Sequence, residues 1–188
     1  MSLICKRCFD VIISLIALIT LFPFLLISWL ILMFDTNSNG IFLQRRVGQF
    51  GKIFTIYKLK TLHQKTAKVS KIGWLFRKYK LDELPQFINV LKGEMSIVGP
   101  RPDIEGYYDT LEGENRKILE LKPGITSLAS LKYYNEEEIL KQQDQPLFYN
   151  DTVIFPDKVK MNLDYYYNRS FFEDLKVIWK TVLSLSRV

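Results

Sequence analysis

Two adjacent carboxylates, Asp82 and Glu83, stand near the start of the segment 80–102. Carboxylates can hold Mg²⁺ beside a phosphorylated substrate, and a carboxylate can also attack phosphorus as a nucleophile. The same segment ends with Arg101 between two prolines. A guanidinium matches a phosphate group geometrically, and the flanking prolines restrict its backbone. These residue types together indicate chemistry at a phosphate group.

The same residues also have a purely structural interpretation. Asp82 is a good N-cap for a helix, Pro85 would fall in its first turn, and Gly93 would end it. The helix predicted between them has an apolar face at helical spacing, formed by Leu84, Phe87, Ile88 and Leu91. An acid at the start of a helix is often only a cap, so the sequence leaves both roles of Asp82 open.

Other common chemistries lack their residues. Neither GxxxxGK[ST] nor GxGxxG occurs, and the single histidine, His63, has no activated-serine motif near it. Cys5 and Cys8 have C-x-x-C spacing, but no second pair follows, so we expect a reduced pair rather than a zinc site. The absence of other cysteines argues against a disulfide-stapled secreted protein.

The charge of the chain predicts an acidic partner. With 188 residues the chain is long enough for one domain, and its formal net charge is +6. Nucleic acid, anionic lipid or a phosphorylated substrate would each suit this charge.

An uncharged run over residues 11–34 is long enough to cross a membrane as a helix. Pro23 lies at its centre, where it removes a backbone hydrogen bond and bends or breaks the helix. Basic residues flank both ends, whereas a crossing helix should have them mainly on one side. We therefore predict a re-entrant helix that returns to the same face of the membrane. A kinked single span is the alternative.

The elements after the membrane run can be predicted in outline. Residues 41–44 and 53–61 form a hairpin, with Lys58 and Lys60 on one face, where they face solvent or neutralise a diphosphate. A short helix with aromatic and basic residues at 72–79 suits a membrane interface. We also predict a helix over 103–121, a polar helix over 135–143, an irregular connection over 146–160, and a final helix opened by a capping box at Ser170 and Glu173.

Nine motifs in register give the whole chain a resemblance to a known family. They are Lys6-Arg7 with Asp10, Pro23, Gln44 with Arg46 and Gly48, residues 52–61, 81–86, 89–96, 98–102 and 123–126, and the string Asp164, Tyr167, Asn168, Ser170. The chain resembles the small monotopic phosphoglycosyl transferases, the bacterial sugar transferases that move a phosphosugar from a UDP-sugar to a membrane polyprenol (undecaprenyl) phosphate.

The resemblance implies a ping-pong reaction. Asp82 would attack the phosphorus next to the sugar, expel UMP and carry the phosphosugar covalently until polyprenol phosphate removes it. Glu83 would handle metal or proton, and Mg²⁺ would be held near Asp82 and Glu83. Arg101 would bind phosphate. The further candidates for the anionic pocket and substrate binding are Lys58, Lys60, Arg77, Arg46 and Asp164.

The resemblance also implies an α+β architecture and a location. Residues 1–36 would form the re-entrant, proline-broken membrane helix. Residues 37–188 would form a mainly helical cytoplasmic catalytic domain with a short β-hairpin and interfacial amphipathic helices. The protein would lie at the cytoplasmic face of a bacterial inner membrane. Its partners would be the UDP-sugar, polyprenol phosphate and membrane lipid, with no nucleic acid, and a homodimer is left open.

The sequence departs from the family pattern at several positions. Phe22 stands where the family commonly has serine, Lys60 stands in a strand that often reads Phe-Arg-Thr-Met, and residues 127–160 are atypical. The identity of the sugar therefore cannot be carried over. Two other functions remain as alternatives, a membrane-anchored basic module that binds lipid or nucleic acid without catalysis, and a membrane phosphatase acting through an aspartyl-phosphate.

Overall fold

The computed structural model describes residues 3–185, which combine helices with two small sheets. The predicted mixture of helix and sheet is confirmed, whereas the division at residue 36 stays a prediction. Residues 1, 2 and 186–188 of the predicted domains lie outside the described residues. The first half contains α1 (Leu3–Asp35), β1 (Ile41–Val47), β2 (Ile53–Leu59), α2 (Lys71–Lys78), a 3-10 helix (Leu81–Gln86), α3 (Phe87–Lys92) and β3 (Ser96–Val98).

The second half is mainly helical. It contains 3-10 helices at Tyr108–Thr110 and Gly113–Glu120, β4 (Gly124–Thr126), α4 (Leu128–Lys132), α5 (Glu136–Lys141), α6 (Pro146–Tyr149), a π-helical turn (Asn150–Ile154), α7 (Phe155–Asn168) and α8 (Phe171–Leu185). The predicted helices over 72–79 and 135–143 are confirmed as α2 and α5.

The predicted hairpin is also confirmed. Strands β1 and β2 pair antiparallel, with Ile41 opposite Leu59 and Val47 opposite Ile53, so β1 is three residues longer than predicted. Ile56 on β2 is buried in the main core with Val90 and Met95. Since side chains alternate along a strand, Lys58 lies on the same inward face as Ile56.

A second, parallel sheet joins β3 to β4, pairing Ser96 with Gly124 and Val98 with Thr126. Just beyond β3, the backbone of Gly99 packs directly on that of Gly124. A Cβ on Gly124 would lie 2.2 Å from the nitrogen of Gly99, and one on Gly99 would lie 2.3 Å from the carbonyl oxygen of Lys122. Only glycine permits this approach, which fixes the chain immediately before Arg101.

Two predictions of local structure are wrong. Residues 103–121 do not form an α-helix, because Gly106 and Gly113 adopt positive φ angles of 97° and 55° and divide the segment into turns and short 3-10 helices. Residues 146–160 are helical rather than irregular. Pro146 opens α6, where a proline is favoured, and the π-helical turn ends two residues before Pro156, which lies in the first turn of α7 and cannot donate a backbone hydrogen bond.

The N-terminal part of α1 docks on the rest of the chain through charge. Arg7 donates from Nη1 to the carbonyl of Val90 at 2.5 Å and from Nη2 to that of Leu91 at 2.8 Å. The buried Asp10 accepts from Ser96 Oγ at 2.7 Å and from the backbone N–H of Ile97 at 3.2 Å. These contacts fasten the beginning of α1 to α3 and β3.

The C-terminal part of α1 docks on the same body through apolar contacts. Leu32 is fully buried in a cluster with Leu59 and Phe76. The rings of Phe24 and Phe76 stack with centroids 6.5 Å apart, and Trp29 Nε1 donates to the carbonyl of Asn39 at 2.8 Å. Both ends of α1 therefore contact the domain formed by the rest of the chain.

By length and composition α1 could cross a membrane, and only 11% of its most apolar stretch is buried. Helical structure continues through Pro23, so the proline does not end the helix. The bend at Pro23 and the re-entrant course stay predictions.

Helix α8 begins as predicted, with the N–H of Glu173 donating to Ser170 Oγ at 3.2 Å. One face of α8 packs inward through Asp174 and Val177. The opposite face leaves Phe172 and Trp179 open, with 80% and 64% of their surface exposed. The sequence left open whether α8 meets the core or a membrane surface, and the structure shows one packed face and one open apolar face.

Candidate active site

The two carboxylates lie in the 3-10 helix Leu81–Gln86, which leads into α3. The prediction that Asp82 is the N-cap is wrong, because the 3-10 helix begins at Leu81 and Lys80 occupies the cap position, two residues before Asp82. Lys80 has left-handed backbone angles, φ 54° and ψ 22°, which turn the chain between α2 and the 3-10 helix. Asp82 is therefore not needed to start the helix.

The predicted apolar face of this segment is also wrong in part. Ile88 is 41% exposed, whereas the polar residues Gln86 and Asn89 are 2% and 0% exposed. The polar side of the segment, which also carries Asp82 and Glu83, therefore faces inward.

Glu83 is held by two cations. Arg101 makes a two-pronged contact in which Nη1 donates to Oε2 at 3.1 Å and Nη2 donates to Oε1. Lys58 Nζ also donates to Oε1, at 2.9 Å. Burial alone would raise the pKa of Glu83, but the charges of Arg101 and Lys58 hold that pKa well below its usual value. Glu83 is therefore ionised, and both of its oxygens are occupied.

Asp82, the preceding residue, has opposite surroundings. Its side chain is only 8% exposed, and its Oδ1 has no hydrogen-bond partner within residues 3–185. Burial, reinforced by the negative charge of Glu83, raises the pKa of Asp82 to about 6. A buried carboxylate oxygen without a donor is destabilising, and it is also available to react.

Backbone hydrogen bonds on both sides fix the segment that carries Arg101. The N–H of Gly99 donates to the carbonyl of Thr126 at 3.0 Å, and the N–H of Gly124 donates to that of Pro100 at 2.8 Å. On the other side, the N–H of Val47 donates to the carbonyl of Asp103 at 2.8 Å. Arg101 is thus held between β1 and β4 and directed toward Glu83.

Arg46, at the end of β1, supplies a second guanidinium group, close enough to Arg101 for the two charges to interact. Its Nη2 donates to Gln44 Oε1 at 2.7 Å, and its Nη1 lies 3.7 Å from Asp103 Oδ1. Burial lowers the pKa of Arg46, and the charge of Arg101 acts in the same direction against that of Asp103. The predicted phosphate-binding residue Arg46 therefore adjoins the carboxylate site.

Asn89 places Lys58 within reach of Glu83. The amide Nδ2 of Asn89 donates to the carbonyl of Thr55 and to Glu94 Oε2, both at 2.7 Å, and Oδ1 accepts from the N–H of Tyr57 at 3.2 Å. Asn89 thereby joins α3 to β2 next to Lys58. Sequence reasoning missed this residue, although the buried polar positions Gln86 and Asn89 recur at helical spacing.

The remaining predicted site residues are Arg77, Lys60 and Asp164. Arg77 donates from Nε to Thr61 Oγ1 at 2.8 Å, and Asp164 accepts from Asn168 within α7 at 2.8 Å. In the described part of the chain, no hydrogen bond or ion pair links Arg77, Lys60 or Asp164 to Asp82 or Glu83. Their roles in substrate binding stay predictions.

The site fits Mg²⁺ through Asp82 more readily than through Glu83. Mg²⁺ commonly takes one or two carboxylates and completes its shell with substrate phosphates and water. Asp82 Oδ1 is open for such a bond, whereas both oxygens of Glu83 already face cations. Within residues 3–185, no group of three or more His, Cys, Asp or Glu side chains could hold a metal ion alone.

The fold has an N-terminal helix that is long and apolar enough to cross a membrane, and the candidate site places two carboxylates among cations. The chain belongs to the bacterial sugar transferase family, whose model matches residues 1–187. The resemblance inferred from the motifs is therefore confirmed. Membership of a transferase family favours an enzyme over a non-catalytic basic module.

Relatives match nearly the whole chain. The uncharacterized sugar transferase EpsL of Bacillus subtilis is 32% identical, with 96% of this chain and 86% of the relative covered. The UDP-glucose:undecaprenyl-phosphate glucose-1-phosphate transferase of Caulobacter vibrioides is 29% identical, with 96% and 69% covered. The UDP-N-acetylgalactosamine-undecaprenyl-phosphate N-acetylgalactosaminephosphotransferase of Aeromonas hydrophila is also 29% identical, with 96% and 43% covered.

Proposed function

We propose that this protein moves a phosphosugar from a UDP-sugar to a membrane polyprenol phosphate and releases UMP. The named activities of the Caulobacter and Aeromonas relatives support the reaction class. The observation that carries the proposal for this chain is the contrast between the two carboxylates. Asp82 has a buried oxygen without a hydrogen-bond partner among the described residues, whereas Glu83 is neutralised by Arg101 and Lys58.

In the first half-reaction, an ionised Asp82 oxygen attacks the phosphorus that carries the sugar. A bond forms between this oxygen and phosphorus, the bond from phosphorus to the UMP oxygen breaks, and UMP leaves as a dianion. No proton moves. Asp82 suits this role because no donor of the described chain has to be displaced from its Oδ1 before it attacks.

In the second half-reaction, an oxygen of the polyprenol phosphate dianion attacks the same phosphorus. The bond to Asp82 breaks, so the carboxylate is regenerated and polyprenol diphosphate-sugar is released. Charge balances in both steps. Glu83 holds Arg101 and Lys58 in place, so their positive charge lies beside the phosphoryl group in each transition state.

Mg²⁺ belongs to the same proposal. Asp82 would hold it through whichever carboxylate oxygen does not attack phosphorus, and Glu83 would join only by sharing an oxygen with its cations. When bound, the ion neutralises charge on the diphosphate. The chain's own residues bind and orient the substrate, with Arg101 and Arg46 as the nearest guanidinium groups.

The membrane course is proposed to be re-entrant, at the cytoplasmic face of a bacterial inner membrane. Arg7 near the start of α1 and Leu32 near its end both dock on the same domain, which supports ends on one side of the membrane. Labelling of Ser2→Cys and Asn39→Cys, in a background without Cys5 and Cys8, tests this course. Labelling from opposite sides would identify a single span.

The deciding experiment uses the membrane-bound full chain with Mg²⁺, polyprenol phosphate and a panel of UDP-sugars. We expect UMP release with at least one UDP-sugar, and a phosphosugar adduct on Asp82 when the acceptor is omitted. Asp82→Asn, which keeps the shape of the side chain, should form no adduct. A folded wild-type protein that releases no UMP across the panel would overturn the proposed function.

A further inference from the structure

Lys80 is an exposed cation directly before the 3-10 helix that carries Asp82, and only its backbone, not its side chain, has a role in the site described above. The sequence did not single it out. Its backbone is left-handed, with φ 54°, a conformation that residues other than glycine and asparagine rarely adopt. Residues with strained backbone angles occur often at functional sites, which is one reason to ask what the Lys80 side chain binds.

The position of Lys80 is fixed by the backbone on both sides. Its N–H donates to the carbonyl of Arg77 at 3.1 Å, and its own carbonyl accepts from the N–H of Glu83 at 3.2 Å. The base of the side chain is therefore tied to the end of α2 and to the catalytic segment, while the ammonium remains in solvent.

The other cations around the carboxylates are already engaged. Lys58 and Arg101 contact Glu83, and Arg46 contacts Gln44. For Lys80, no hydrogen bond or ion pair of the side chain occurs within residues 3–185. Its charge nevertheless reaches the site, since burial and Glu83 raise the pKa of Asp82 while Lys58 and then Lys80 lower it. Lys80 can bind an anion without giving up an existing partner.

Lys80 follows the helix that packs on the membrane segment. Phe76 of α2 stacks on Phe24 of α1, and α2 leaves Trp74 and Leu75 exposed at 57% and 45%. Arg101, in contrast, is held by β1 and β4 rather than by α2. A substrate anchored in the membrane by an apolar chain would therefore arrive on the side of Lys80.

We propose that Lys80 binds the phosphate of the polyprenol acceptor and guides it to the phosphosugar on Asp82. This inference rests on the proposed function and deepens it by assigning one cation to the second substrate. The incoming phosphate is a dianion and the phosphosugar bound to Asp82 is an anion, so they repel each other. An ammonium between them lowers that repulsion, and its three N–H donors suit a terminal phosphate.

The test separates the two half-reactions in Lys80→Asn, because asparagine tolerates left-handed angles and only the cation is lost. We expect KM for polyprenol phosphate to rise about tenfold or more, the change expected for losing a charge-assisted hydrogen bond. KM for the UDP-sugar and the amount of adduct formed without acceptor should stay within twofold. Lys80→Arg, which keeps the charge, should retain most of the acceptor affinity. Lys65→Asn, an equal charge change in an exposed loop, is the matched control.

Several results would overturn the inference. They are an unchanged acceptor KM in Lys80→Asn, a rise in the UDP-sugar KM alone, or equal losses in Lys80→Asn and Lys80→Arg, which would mean that the positive charge at this position does not bind the acceptor. The proposed function is tested separately by adduct formation in the wild-type protein. An adduct with an unchanged acceptor KM rejects Lys80 alone, whereas a wild-type protein without adduct or UMP release rejects both.

Discussion

Two buried clusters of charge lie in this protein, one at the base of α1 and one at the candidate active site. They differ in whether every carboxylate oxygen has a partner. At the base of α1, Lys6 Nζ lies 2.7 Å from Asp174 and 3.2 Å from Asp10. Tyr165 donates to the other oxygen of Asp174 at 2.5 Å, and Ser96 donates to Asp10 at 2.7 Å. Every carboxylate oxygen there has a hydrogen-bond donor or lies beside the ammonium of Lys6, with which Asp174 Oδ2 forms an ion pair outside hydrogen-bond geometry.

At the active site, Glu83 is matched in the same way, but Asp82 keeps one buried oxygen without a partner in the described chain. Complete pairing removes the penalty of burying charge and yields a fixed structural joint. Incomplete pairing retains part of that penalty and leaves a reactive group. The Asp82 oxygen without a partner in residues 3–185, rather than the burial of charge, is therefore the feature on which the proposed role of this cluster rests.

The largest expected effect follows from removing the unpaired carboxylate. Asp82→Asn should lower UMP release by at least about a thousandfold, since loss of a covalent nucleophile has consequences of that order or larger. Activity above a few per cent of the wild-type rate would limit Asp82 to a structural role.

The same variant should not be less stable. Near pH 7.5 the ionised Asp82 lies buried with its pKa raised to about 6, so a neutral amide should raise the free energy of unfolding by about 1–3 kcal/mol. At pH 5 wild-type Asp82 is protonated in the folded state, so the gain should shrink. Thermal unfolding at both pH values checks the sign, and a lower melting temperature at pH 7.5 would contradict it.

The next effect breaks the structural cluster. Lys6→Met leaves Asp10 and Asp174 buried without their shared cation, and we expect a loss of about 3 kcal/mol in unfolding free energy. Lys176→Met, which removes an exposed cation paired with Glu173 at 3.1 Å, should cost less than about 1 kcal/mol. Denaturant titration compares the two variants. Equal losses would mean that the buried cluster has no special structural role.

A smaller effect concerns the fork on Glu83. Arg101→Lys keeps the charge but loses the two-pronged contact, so the rate should fall about tenfold, or about 1.4 kcal/mol in activation free energy. Arg45→Lys makes the same chemical change at a surface position whose side chain is 72% exposed, and it should leave the rate unchanged. A wild-type rate in Arg101→Lys would reduce Arg101 to a surface charge.

The smallest expected effect is the pH dependence of the first half-reaction. Burial and the charge of Glu83 raise the pKa of Asp82 to about 6, and only the ionised form attacks. The rate of UMP release should therefore fall as pH decreases, to about half near pH 6. Single-turnover measurements between pH 5 and 8 would follow it, and a rate that stays constant down to pH 5 would contradict an Asp82 nucleophile with this pKa.

Much of the fold could be predicted because its signals are local. Alternating apolar residues and a turn with Gly48 and Gly51 predict the hairpin, and Ser170 predicts the start of α8. The errors occurred where neighbours in space override local preference. The sequence predicts an irregular connection over 146–160, yet α6, a π-helical turn and α7 follow one another there.

The sequence by itself determined the residue types of the site, the apolar N-terminal helix and the family, since these depend on composition and order along the chain. Only the tertiary structure decided which carboxylate is engaged and which is open. Asp82 and Glu83 are adjacent and chemically alike, but Lys58 and Arg101 come from distant segments and both contact Glu83. Contacts between residues far apart in sequence depend on packing, which is why the division of roles became visible only in the folded chain.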